Sequence, residues 1–114
     1  MKKNIKKAWV KALRSGEYEQ GVGKLCETID GVDFYCCLGV LSNECLDGYW
    51  VKDENSAKWY FHDSYTECDS VFILPHIITK DLKITEEKWM GILSEKNDNG
   101  WSFEEIADWI EENL

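Results

Sequence analysis

The chain contains one proline, Pro75, and two histidines, His62 and His76. It has no apolar run near the ~20 residues that a membrane-spanning helix needs. The basic start, Met1 to Lys3, leads into an amphipathic segment instead of an apolar signal core, so a cytoplasmic protein with no membrane partner is expected. Close ligand pairs such as Cys-x-x-Cys or His-x-x-x-His are missing, which removes the usual framework of a structural zinc site. No P-loop, dinucleotide fingerprint, Gly-x-Ser-x-Gly elbow or His-Glu-x-x-His is present. No catalytic residue, metal or cofactor is therefore assigned. Repeats, low-complexity runs and linkers are also lacking, and residues 1–114 read as a single domain.

What is present suits a small core. A chain of 114 residues buries roughly two-thirds of its unfolded surface on folding, so it needs no disulfide staples. Six Trp, five Tyr and four Phe supply anchors, each removing about 150 to 250 Å² from water when buried. The five cysteines, Cys26, Cys36, Cys37, Cys45 and Cys68, are an odd count and read as reduced thiols acting as small buried hydrophobes. Cys36 and Cys37 are adjacent. At a strand-to-helix junction that spacing sends one into the core and the other toward a cleft.

Charge is unevenly placed. The net charge is −9, yet Lys2, Lys3, Lys6, Lys7, Lys11 and Arg14 occupy a head with no acid among residues 1 to 14. The remaining seven basic and twenty-two acidic residues leave the body at −15. Such a body repels phosphate backbones, and nucleic acid is not expected as a partner. Residues 100 to 107 resemble the first helix of a helix-turn-helix, but the last helix has no Lys or Arg with which to meet DNA. The basic head either holds one anion or forms a solvated face complementing the acidic body.

Ile5, Trp9, Ala12 and Leu13 fall on one stripe of a helix that Gly16 stops. Glu17 to Gly23 reads as a loop with one short extended piece, and Lys24 to Thr28 as a strand. Asp30 and Gly31 turn the chain into a second strand through Val32, Phe34 and Cys36. From Cys37 to Cys45 the pattern becomes helical. Residues 47 to 70 keep no lasting period, although Lys58 to Phe61 can pair with Val71 to Leu74, which Pro75 closes. Thr85 caps a helix whose Trp89, Ile92 and Leu93 share a face, and Asn97 to Gly100 read as the loop that ends it. Ser102 and Glu105 form a capping box ahead of the stripe Phe103, Ile106, Ala107, Ile110 and Leu114. These elements predict one α+β domain, with helices at both ends packed on a small central antiparallel sheet.

The strongest small-ligand signal lies between the first helix and the first long strand. Arg14 and Lys24 can hold a phosphate, Tyr18 can stack on a base, and Gln20 can read a polar edge, while the flanking glycines let backbone N–H groups approach an anion. The same residues also describe a glycine-rich connection whose Arg and Lys pair with nearby acids. A cysteine nucleophile would need a base beside it, and the sequence places neither histidine there.

Three blocks carry a resemblance. They are Trp9, Ala12 to Gly16, Tyr18, Gln20, Gly21, Gly23 and Leu25; then Tyr35 to Leu41; then Asn97, Asp98, Gly100, Ser102, Phe103 and Glu105 to Trp109. Together they resemble a family of small uncharacterised proteins of tailed bacteriophages and prophages. Residues 46 to 84 match none of its motifs. The resemblance implies a phage origin and expression in the bacterial host cytoplasm, and it brings no activity with it. Phage accessory proteins often bind a host defence protein or a defence-signalling nucleotide. Two non-enzymatic functions are expected from this class: sequestering a small phosphorylated ligand through Arg14, Tyr18, Gln20 and Lys24, or inhibiting a basic host protein as an acidic decoy. A cysteine-dependent enzyme is the third, and a homo-oligomer is compatible with each.

Overall fold

The computed structural model describes residues 3–64, 68–70 and 86–114. Its core forms around Trp9 and Trp89, whose rings meet edge to face at 6.0 Å. Trp9 lies on α1, Lys3–Arg14, where Val10, Ala12 and Leu13 are buried with it and the lysines project outward. Its indole N–H donates to the Cys37 carbonyl at 2.9 Å, which ties α1 to the next helix.

After α1 come β1 (Glu19–Gln20), β2 (Cys26–Ile29) and β3 (Val32–Tyr35), then α2 (Cys37–Cys45), β4 (Gly48–Lys52), β5 (Lys58–Asp63) and β6 (Cys68–Ser70). Two helices complete the described residues, α3 (Glu86–Asp98) and α4 (Phe103–Asn113). The sheet runs β1-β3-β2-β5-β4, with β6 also on β5. Its pairs are antiparallel except β1 with β3, which is parallel, so the sheet is mixed. The α+β class and the terminal helices agree with the sequence reading. The parallel pair arises because β1 comes in from α1 and lies against β3 outside the β2–β3 hairpin.

Local chemistry explains several boundaries. Asp30 and Gly31 both have positive φ, 51° and 80°, the conformation a two-residue hairpin turn needs to match strand twist. Ile29 pairs with Val32 across it. At the other end of β3 the period changes between Cys36, the N-cap, and Cys37, the first residue of α2. A Cβ added at Gly39 would overlap the Leu25 carbonyl, so only glycine lets α2 lie this close to the chain entering β2. In α4 the expected capping box is formed, with Ser102 Oγ accepting from Glu105 N at 3.2 Å and Glu105 Oε1 accepting from Ser102 N at 3.1 Å.

Three expectations shift. Asn97 and Asp98 belong to the last turn of α3 and not to a loop. The strand read from Lys24 begins at Cys26, and β4 lies in the segment that showed no period. The expected strand at Val71 to Leu74, its stop at Pro75 and the cap at Thr85 lie outside the described residues, as do His76 and Tyr65.

Candidate functional site

The four residues expected to bind a ligand are each engaged within the fold. Arg14 stands on the seam between α1 and α4. Its guanidinium meets Glu111 at 2.8 Å, Asp108 at 2.5 Å and Glu104 at 3.5 Å, and the bonds to Glu111 and Asp108 raise its pKa further. Lys24 pairs with Glu27 at 2.9 Å, three residues along. For both cations, then, the pairing with nearby acids is what the fold contains.

Tyr18 donates its hydroxyl to Glu44 at 2.5 Å and accepts from Asn43 at 2.7 Å. Its ring stands edge-on to Tyr35 at 5.0 Å, and Tyr35 continues the same way to Trp50 at 5.9 Å. Burial, followed by the bond to Glu44, pushes the Tyr18 pKa up to about 12. Gln20 spends both amide hydrogens inside the molecule, on Asn97 Oδ1 at 3.0 Å and the Trp101 carbonyl at 2.7 Å. An open groove of about 640 Å³ takes in Arg14, and a cleft of about 200 Å³ takes in Lys24; Tyr18 and Gln20 line neither.

Asn97 organises this region. It is 1 % exposed, and its carbonyl accepts from Gln20 and from the Cys37 backbone N–H at 3.2 Å. Its amide donates to the Gly21 carbonyl at 2.7 Å. Only one orientation of the amide serves both a backbone donor and a backbone acceptor, so the side chain is fixed by its partners. Beside it Asp98 accepts from Gly23 N at 2.9 Å. The glycine-rich segment is thereby stitched to the end of α3 and the start of α2. All three sequence blocks meet at this point. Sequence reasoning placed Asn97 in a loop; the usable signal was its position one helical turn beyond the buried Leu93.

Both adjacent cysteines belong to the buried core, so the expected division between core and cleft is only partial. Cys37 is fully buried, with its thiol 3.7 Å from the Leu93 carbonyl, while Cys36 lines the small cleft with Gly23, Lys24, Ser94 and Asp98. Burial pushes the Cys36 and Cys45 thiols up to about 11 and Cys26 to about 12, and it holds Cys37 well above the usual range. At Cys36 the backbone N–H groups of Gly39 and Leu38 act in the opposite direction and do not overcome burial. His62 stacks on Tyr49 at 4.7 Å, on β5 and β4. Among the described residues no three His, Cys, Asp or Glu side chains converge as a metal site would require.

Among the described residues, α1 and α4 each border an open surface. The large groove along α1 is lined by Lys3, Lys6, Lys7, Lys11, Val10 and Arg14, with Glu111 at its edge. On the other side of α4 a shallow cleft of about 250 Å³ lies between Trp101 and Trp109, rimmed by Glu105, Asp108 and Glu112. Sequence reasoning did not single out this cleft. Its signal was Trp109, which falls off the buried Phe103, Ile106 and Ile110 stripe and shares a stripe with Glu105, Asp108 and Glu112, with Trp101 just ahead of the Ser102 cap.

No curated protein and no solved structure matches the chain. The model of one family, described as Domain of unknown function (DUF8296), matches residues 1–114, and the chain belongs to that family.

Proposed function

We propose that this is a non-enzymatic binding protein that inhibits a basic host protein through the acidic outer surface of α4. One observation carries the reading. Glu104, Glu105, Asp108, Glu111 and Glu112 are all exposed on a helix without a single Lys or Arg, and three of them share the one guanidinium of Arg14. Such a field steers a basic partner into encounter and gives its complex a strong salt dependence. The resemblance to phage proteins supplies the setting: the bacterial cytoplasm, with a component of host defence as target.

The test is capture from bacterial lysate on immobilised protein, comparing wild type with an Asp108→Asn, Glu112→Gln variant. A host protein of basic pI retained by the wild type, lost by the variant and released by salt supports the reading. Equal recovery on both would overturn it.

The α1 groove favours a second reading, sequestration of a small phosphorylated ligand. Its volume is in the range of ligand pockets, and four lysines face it along with Arg14. The phosphate contacts then move from Lys24 to the lysines of α1. A thermal-shift screen with cyclic dinucleotides and ADP-ribose derivatives tests this. A rise in Tm that disappears in Lys7→Gln, Lys11→Gln supports it, and the absence of any rise refutes it.

A further inference from the structure

We infer that the cleft between Trp101 and Trp109 is a binding site for a cation, and that its occupant is an arginine side chain of the basic partner. The inference rests on the acidic-surface reading above and gives it a point of attachment. Glu105, Asp108, Trp109 and Glu112 share one stripe of α4, at spacings of three, four and seven residues. Trp101 stands just before the Ser102 cap and closes the other side. Both indoles are only partly buried, packing one side on the core.

The protein already places one cation here. Lys96, in the last turn of α3, holds its ammonium 3.8 Å from the centre of the Trp101 ring and 6.0 Å from that of Trp109. This contact shows that the indole face accepts a cation in this fold, with Trp101 the nearer ring and Trp109 the farther. The carboxylates are not equivalent either. Asp108 Oδ1 is bonded to Arg14, and Glu105 Oε1 is used by the cap. Glu112 has neither engagement and is the rim carboxylate best placed to pair with an incoming group.

The chemistry selects guanidinium. Its plane stacks on an indole and its paired N–H groups match a carboxylate, whereas an ammonium stays strongly hydrated. A cleft of about 250 Å³ suits one side chain and is small for a nucleotide. The Gln20 bond to the Trp101 carbonyl, 2.7 Å, anchors the cleft to the Asn97 cluster, so the site is held by the rigid part of the fold.

The test uses a tetra-arginine peptide as probe, with tetralysine beside it, on the full chain. Indole N–H resonances of Trp101 and Trp109, assigned with Trp101→Phe and Trp109→Phe, are followed during titration. Both should move with tetra-arginine while those of buried Trp9 and Trp89 stay in place. Tetralysine should bind on the order of fivefold more weakly, and Trp109→Ala should weaken tetra-arginine by a similar factor. Lys96→Gln removes the resident competitor and should tighten binding more than Lys88→Gln, an equal change of charge elsewhere on α3. Unmoved indoles, equal affinity for the two peptides, or equal effects of the two lysine variants would overturn the cation site. If the lysate experiment still recovers a salt-sensitive basic partner, the acidic-surface reading stands without the cleft; if it recovers none, that reading falls as well.

Discussion

Replacing Asn97 by Ala should destabilise the protein more than any other single polar change among the described residues. The side chain makes three hydrogen bonds, two as acceptor and one as donor, at 1 % exposure. The largest loss falls at Cys37, whose backbone N–H is fully buried and would be left without a partner, at about 1–3 kcal/mol. Gln20 and the Gly21 carbonyl are half-buried, and each loses one bond worth about 0.5–1 kcal/mol after partial rehydration. The sum is about 3 kcal/mol, which lowers Tm by roughly 12 °C in a domain of this size.

Urea denaturation followed by far-UV circular dichroism measures the loss directly. Gln20→Ala should cost about 1.5 kcal/mol, because it removes two bonds but orphans no fully buried group. The double variant should cost less than the two single changes together, with a coupling of about 1 kcal/mol for the bond they share. A loss under about 1 kcal/mol for Asn97→Ala, or strict additivity, would refute the idea that this amide fastens the glycine-rich segment to α3.

Other consequences follow from the same geometry. The four described thiols have folded pKa values raised by burial, three of them to about 11 or 12, against about 8.5 in an unfolded chain. Above pH 8.5 the unfolded state therefore holds fewer protons than the folded one. Stability should be insensitive to thiol ionisation below pH 8, then fall through pH 9 to 11; urea midpoints across that range measure it, and a rising midpoint would contradict the burial. Two helical glycines should respond with opposite sign. Gly39→Ala drives a Cβ into the Leu25 carbonyl and should cost about 3 kcal/mol or more, whereas Gly91→Ala meets nothing within 4 Å and should stabilise α3 by about 0.8 kcal/mol. Arg14→Gln should lower Tm by an amount that shrinks as sodium chloride is raised, since exposed partners form its three ion pairs; a salt-independent loss would assign the effect to packing.

Where one element's own residues decide its form, the sequence was readable. The α1 stripe, the Asp30–Gly31 turn, the change of period at Cys36 and Cys37 and the Ser102–Glu105 box all depend on neighbours within a few positions. Elements fixed by distant partners were not. In β4, Tyr49 and Val51 are exposed at 57 % and 40 %, so its alternation separates apolar from apolar and leaves no polar face to recognise. Its pairing with β5 is what defines it. Asn97 and Asp98 have weak helix propensity, and their bonds to Cys37, Gly21 and Gly23 override it. For the candidate site, the sequence offered Arg14 and Lys24 either to an anion or to nearby acids, and only the packing of α4 against α1 supplies Arg14's partners. At the Trp101–Trp109 cleft, Lys96 reaches both rings from α3, a contact that no local pattern displays.

The three sequence blocks face one another in the fold. Gln20 and Gly21 come from the first, Cys37 from the second and Asn97 from the third, and one buried amide joins them. Residues with many simultaneous partners tolerate few replacements, so these positions are explained by the scaffold they build. A ligand-binding role for Gln20 would break bonds to Asn97 and Trp101 that the fold itself uses. The α4 stripe obeys different rules: Trp109 and Glu112 can change without orphaning a buried polar group. Exposed positions of α4 can therefore vary while the Asn97 cluster keeps the scaffold unchanged, and the two kinds of variant separate by experiment. Changes at the cluster should move stability first, whereas Glu112→Gln on the outer stripe should leave stability within about 0.5 kcal/mol.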